Sequence, residues 1–215
     1  MTIQVSAESI GGAKALDPAK TVERPLAEEQ RYRAEAYRLI AAMLRSSPNT
    51  QLLEQLSGLS HVDAPDELSL SLSMLGLAAR SSNRESVEDE FQQLFIGLGR
   101  GELVPYASWY LTGFLMEKPL GELREQLAGL GFERQQGVHE PEDHIAALCE
   151  VMSILIQEDR PHAESADFFE QHLAPWSSRF FDDLSQAQAA VFYRNLGRFG
   201  AAFIELERRY FSMQV

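Results

Sequence analysis

The stretch Glu140-Pro141-Glu142-Asp143-His144-Ile145-Ala146-Ala147-Leu148-Cys149-Glu150-Val151-Met152-Ser153-Ile154-Leu155-Ile156-Gln157-Glu158 decides how the rest of the chain is read. Ile145, Leu148, Cys149, Met152, Leu155 and Ile156 recur at the three- and four-residue intervals that put side chains on one face of an α-helix. Pro141 suits a first helical position, where the N–H that proline lacks would have no partner anyway. Glu142 and Asp143 suit the positive end of the helix dipole. The spacing predicts a helix over residues 141–158. Its head concentrates Glu140, Glu142, Asp143 and His144 where peptide N–H groups are free.

The same period extends outward in both directions. Upstream, Tyr32, Ala36, Leu39, Ile40 and Met43 predict a helix over residues 27–45, and Pro48 separates it from a short helix carrying Leu52, Leu53 and Leu56. Pro65 opens a helix through Leu68, Leu72, Leu75 and Leu77. Residues 85–96 make another stripe with Val87, Phe91, Leu94 and Phe95, which ends in a loop holding Gly97, Gly99 and Gly101. No strand precedes those glycines and no phosphate-binding lysine follows, so they do not form a nucleotide-binding turn. Pro105 restricts Val104 and starts the turn that carries Tyr106, Trp109 and Tyr110; a helix over residues 120–127 follows.

Residues 132–139 are short, polar and glycine-containing, and read as a hinge. Downstream, helices are expected over residues 162–173, around Trp176, Phe180 and Phe181, and over residues 186–210 with Phe192, Leu196, Phe199, Phe203, Leu206 and Tyr210 inward. No period-two alternation competes with these patterns, so the fold class is all-α, a helical bundle. Residues 1–26, with Gly11-Gly12, Pro18 and Pro25, read as a flexible tail. An N-terminal helical half over residues 27–138 and a C-terminal half over residues 139–215 are expected to pack as one unit.

Bulk properties narrow the function. The formal net charge of −13 over 215 residues disfavours nucleic-acid binding, which needs Lys and Arg to displace phosphate counterions. It suits a cationic partner or plain solubility. The single cysteine, Cys149, lies on an apolar stripe and reads as a buried thiol in a reducing compartment. The absence of both an 18-residue apolar run and a basic-then-apolar leader makes the expected location cytoplasmic, with no integral membrane segment.

Three functional classes remain open. His139 and His144 enclose Glu140, Glu142 and Asp143, which raises metal-dependent hydrolysis; however, their offset of five residues and the intervening Pro141 depart from the zinc signature. His144 could act as a general base, but no serine or cysteine nucleophile pairs with it in sequence. A helical adaptor that joins mature proteins is the second class. The third is ligand recognition, with Glu140, Glu142 and Asp143 engaging a cationic group beside an apolar groove of Tyr106, Trp109 and Tyr110. Arginine suits such a site, since its guanidinium pairs with carboxylates and stacks on aromatic faces.

Other residues carry weaker signals. Asp89 and Glu90 extend the acidic surface or simply face solvent, and Trp109 is either an interface anchor or core. Trp176 reads as packing between C-terminal helices. Arg198, Glu205, Glu207, Arg208 and Arg209 read as ordinary cross-turn charge pairs.

Three short motifs add a family resemblance. Leu94-Phe95 followed by Gly97, then Pro105-Tyr106, and above all Glu140-Pro141-Glu142-Asp143-His144 resemble the TorD/DmsD/NarJ family of redox-enzyme maturation chaperones over residues 27–210, most closely its TorD/DmsD branch. The resemblance implies an all-helical cytoplasmic chaperone, monomeric or homodimeric. Such a chaperone binds the twin-arginine signal peptide and the immature catalytic subunit of a molybdoenzyme and assists maturation before export. It places Tyr106, Trp109, Glu140, Asp143 and His144 around the signal-peptide groove or its supporting turn, with Tyr110 and Glu142 beside them. Where relatives often carry glutamate after the proline-tyrosine pair, this chain has Ala107. No cofactor is assigned.

Overall fold

A computed structural model describes residues 26–59, 66–134 and 140–213. The expected tail, the helix-opening role of Pro65 and most of the expected hinge lie outside the described residues. Within them the chain is all-α: α1 (Glu28–Arg45), α2 (Thr50–Ser57), α3 (Glu67–Ser81), α4 (Arg84–Phe91), α5 (Ala107–Thr112), α6 (Lys118–Gly129), α7 (Ile145–Gln157), α8 (His162–Phe168), α9 (Ser177–Gln186) and α10 (Tyr193–Met213). Wider π-helical turns, Gln92–Ile96 and Phe169–Leu173, continue α4 and α8. Asn49, Asp66 and Asn83 cap α2, α3 and α4, each accepting the backbone N–H three residues on.

α1 lies along α7, while α10 packs on α9 and α3. The α1–α7 and α10–α3 contacts cross the expected division between the halves. Tyr37, Phe168, Phe169, Phe180, Phe181, Phe192 and Phe203 are buried at the centre, and each such side chain removes enough apolar surface to contribute about 1.5–3 kcal/mol. Gly197 lets α10 approach α9 closely, since a Cβ there would lie 2.6 Å from the Ser185 backbone nitrogen.

Several expectations need correction. The last helix begins at Tyr193, not near residue 186. Its start is set by Glu90 of α4, a buried residue and not the surface acid expected. Its carboxylate accepts N–H from Val191 (2.9 Å), Phe192 (3.0 Å) and Tyr193 (2.6 Å). Glu207, read as a surface charge, is wholly buried: Arg33 of α1 donates to it from Nε at 2.6 Å and from Nη2 at 2.7 Å, and Tyr37 donates at 2.8 Å. A buried carboxylate needs such partners to offset its lost hydration. Arg209 and Glu205 do form the expected cross-turn pair. Tyr32, Leu77 and Leu206, expected inside, are 56%, 46% and 41% exposed. α3 is apolar on more than one side, so its period alone does not say which side meets the core. Pro141, too, does not open α7, which begins at Ile145.

Candidate functional site

Two of the motif segments meet through their backbones. Ala107 N–H donates to Asp143 C=O at 3.0 Å and Ile145 N–H to Pro105 C=O at 2.9 Å, so Tyr106 and His144 form an isolated antiparallel bridge. This pairing keeps residues 141–144 out of the helix. α7 starts at Ile145, with His144 as its N-cap: Nδ1 of His144 accepts the Ala146 N–H at 3.1 Å. Pro141 sits instead in the preceding turn, closed by His144 N–H on Pro141 C=O at 3.4 Å.

On this hairpin the expected residues divide by environment. Asp143 is 1% exposed, and its Oδ2 accepts from the N–H (2.9 Å) and the hydroxyl (2.5 Å) of Ser108 at the start of α5. Its Oδ1 has no partner among the described residues. Burial lowers the His144 pKa to about 4; Glu140, 3.8 Å from Nε2, opposes that shift and Arg45 adds to it. His144 is thus neutral near pH 7, with Nδ1 committed as an acceptor. The Tyr106 hydroxyl donates to Glu140 at 3.0 Å; burial first and Glu140 second raise its pKa. Arg45 lies 3.9 Å from Glu140 and 2.6 Å from Glu150. Glu142 is paired with Arg124 at 2.9 Å and Arg134 at 3.5 Å. Among the three expected carboxylates, only Asp143 therefore keeps an uncommitted buried oxygen.

Asp143 lines a cavity of about 60 Å³ with Ala107, Leu111, Pro119, Glu122, Leu123 and His172. Nε2 of His172 also has no partner among the described residues, and burial lowers its pKa against the opposing pull of Glu122. Beyond Leu111 the α5–α6 connection exposes Phe114 (68%), Leu115 (46%) and Met116 (71%). This apolar run is plain in the sequence, but with helical elements on both sides it gave no reason to expect exposure.

Trp109 and Tyr110 do not join Tyr106. They line a separate cleft of about 330 Å³ elsewhere around α5, with Arg100, Glu102, Gly113, Arg179 and Asp183. The Arg100 guanidinium lies 4.7 Å from the Trp109 ring centroid, and Tyr110 donates to Asp183 at 3.0 Å while packing on buried Trp176. Arg100 is presented by the glycine loop, whose Gly97 has φ +61° and no room for a Cβ against the Arg100 backbone. Nothing in the local pattern marks Ser108, Glu122, Arg179 or Asp183; each gains its place by tertiary contact. Asp89 is exposed and lines neither cavity. His139 lies outside the described residues, and among those no group of three or more His, Cys, Asp and Glu is placed to hold a metal.

The pattern of the nitrate reductase delta subunit family matches residues 62–182. The chain is 30% identical over 171 residues to the chaperone protein TorD of Vibrio cholerae (serotype O1, strain ATCC 39541), covering 71% of this chain and 76% of that protein. It is 34% identical over 123 residues to the Tat proofreading chaperone DmsD of Salmonella typhimurium, covering 55% of this chain and 59% of that one. The fold resembles the crystal structure of a candidate redox enzyme maturation protein from Archaeoglobus fulgidus, with a TM-score of 0.55, 18% identity, and coverage of 86% of this chain and 99% of that chain.

Proposed function

The chain belongs to the TorD/DmsD/NarJ family, and from that premise we propose that it is a maturation chaperone that binds the twin-arginine signal peptide of a molybdoenzyme precursor in the cytoplasm before export. The client is the immature catalytic subunit behind that leader. The carrying observation is Oδ1 of buried Asp143, without a partner among the described residues, in a side chain that lines a cavity with Leu111, just ahead of the exposed Phe114, Leu115 and Met116 along the chain. A leader of paired arginines followed by apolar residues supplies a partner for each part.

One guanidinium on Asp143 Oδ1 would form a charge-assisted hydrogen bond with a net contribution of about 1.5–3 kcal/mol. Glu122 at the rim would add attraction, and neutral His172 opposes nothing. Entry requires the half-exposed Leu111 side chain to turn aside, which couples arginine binding to rearrangement of the apolar run. Tyr106, Glu140 and His144 serve in this reading as the supporting turn. Glu142 is held by Arg124 and Arg134, which a second guest arginine would have to displace. Binding, not catalysis, fits His144, whose Nδ1 already caps α7.

Titration calorimetry with leader peptides against lysine-lysine controls tests the reading. Arginine-selective, saturable binding is expected, weakened at least about tenfold by Asp143→Asn, which keeps an acceptor for Ser108 but turns an amide toward the cavity. Equal affinity for both peptides would sink the proposal; selectivity unaffected by Asp143→Asn would move the site elsewhere.

A further inference from the structure

The cleft behind α5 holds two arginines, which the Asp143 cavity lacks, beside Glu102 and Asp183. Arg100 and Arg179 both line it, both are exposed, and neither is ion-paired among the described residues, although the chain's net charge is −13. Each guanidinium has one face toward an aromatic ring, Arg100 at 4.7 Å from Trp109 and Arg179 at 5.7 Å from Tyr110. Stacking of that kind fixes the plane and leaves the N–H edges for an oxyanion. The acids of the cleft are already engaged: Glu102 accepts N–H from Gln188 (2.6 Å) and Ala189 (3.0 Å), and Asp183 accepts from Tyr110 (3.0 Å).

We infer that the Arg100–Arg179 cleft is an oxyanion subsite for the carboxylate of an acidic residue in the same polypeptide whose arginine enters the Asp143 cavity. This rests on the proposed function and deepens it. Ala107 and Leu111 face the cavity, whereas Trp109 and Gly113 face the cleft. At about 100° per residue, Tyr110 and Trp109 stand about 60° and about 160° from Ala107, so the cleft opens about a third of the way round α5 from the cavity. A third of the way round a helix about 10 Å wide takes three to four residues of extended chain at about 3.3 Å each. The guest therefore carries its carboxylate about three or four positions from the arginine pair. A site reading both signs at a fixed spacing rejects segments that are merely basic.

The test uses the full chain and synthetic peptides of about 16 residues, each with paired arginines before an apolar run. One peptide has Glu four positions before the pair, one has Glu four positions after it, one has Gln at both places, and one replaces the arginines by lysines. Binding is read by calorimetry and by tryptophan emission, to which Trp109 and the buried Trp176 both contribute, in the natural protein and in an Arg100→Gln/Arg179→Gln variant. One Glu peptide is expected to bind about fivefold more tightly than the Gln peptide, an advantage absent in the double variant, which still binds the Gln peptide as the natural protein does. Arginine selectivity without any Glu advantage, or a Glu advantage that survives in the double variant, overturns the inference and leaves the proposed function standing. Saturable binding of inorganic phosphate that needs both arginines, again without a Glu advantage, overturns it in favour of a small free anion. Loss of arginine-over-lysine selectivity removes the proposed function itself.

Discussion

Replacing Glu90 by alanine tests how the cleft is anchored. The carboxylate holds three N–H groups at the start of α10, and those of Phe192 and Tyr193 are buried while Val191 is exposed. Water can take over the Val191 N–H in the variant; the other two are left without an acceptor. At about 1–3 kcal/mol for each buried unsatisfied group, and allowing for the lost negative charge at a helix N-terminus, the expected loss is about 4 kcal/mol. For a chain of this size that corresponds to a fall in melting temperature of about 8–16 °C. Glu90→Gln keeps an acceptor on one side only and should fall near half that loss. Urea unfolding with an unchanged m-value is the assay. A loss below about 1 kcal/mol for Glu90→Ala would show that the three contacts do not hold the α4–α10 junction, and with it the loop that sets Arg100 opposite Arg179.

Two further outcomes follow from burial. Because His144 is depressed from 6.5 to about 4, its neutral form contributes stability that is complete above about pH 6.5 and is lost as pH falls toward 4. Across that window the natural protein should lose up to about 3 kcal/mol more than His144→Asn, in which Asn can still cap α7 but cannot titrate; parallel unfolding curves for the two proteins would refute the assignment. Cys149 is fully buried, and burial raises its thiol pKa. It should react with an aromatic disulfide reagent only as fast as the chain opens, and rapid labelling under native conditions would contradict the packing of α1 on α7.

How far the sequence could be read depended on the range of the interactions. Ile40 and Met43 on α1, or Leu148, Met152 and Leu155 on α7, declare a helix and its inner face through neighbours three and four residues away, and the structure has them so, although Tyr32, read on the same face of α1, is exposed and the buried Tyr37 was not read there. Glu90 and Glu207 could not be placed, because a glutamate on a helix looks the same whether it faces solvent or a partner more than a hundred positions distant. Pro141 looked like a helix start for the same reason: what stops the helix short is pairing with Pro105 and Ala107. Tyr106, Trp109 and Tyr110 seemed one aromatic group, yet the short helix beginning at Ala107 turns Trp109 and Tyr110 into a cleft that Tyr106 does not line. That Arg100 and Arg179 share one cleft went unseen because they lie far apart in sequence.

The bridge between Tyr106 and His144 makes the intervening chain an excursion with joined ends. It runs through α5, the exposed apolar run and α6, whose Leu120, Leu123 and Leu127 are buried in the core, and returns where it began. Its length is thus decoupled from the register of α7: residues can be added to or removed from the α6–α7 connection while the paired ends keep Ile145 in place. The exposed Phe114, Leu115 and Met116 can accordingly change without repacking the helices beneath, whereas Leu120, Leu123 and Leu127 cannot, so that what the surface offers and what keeps the chain folded sit a few residues apart on one excursion.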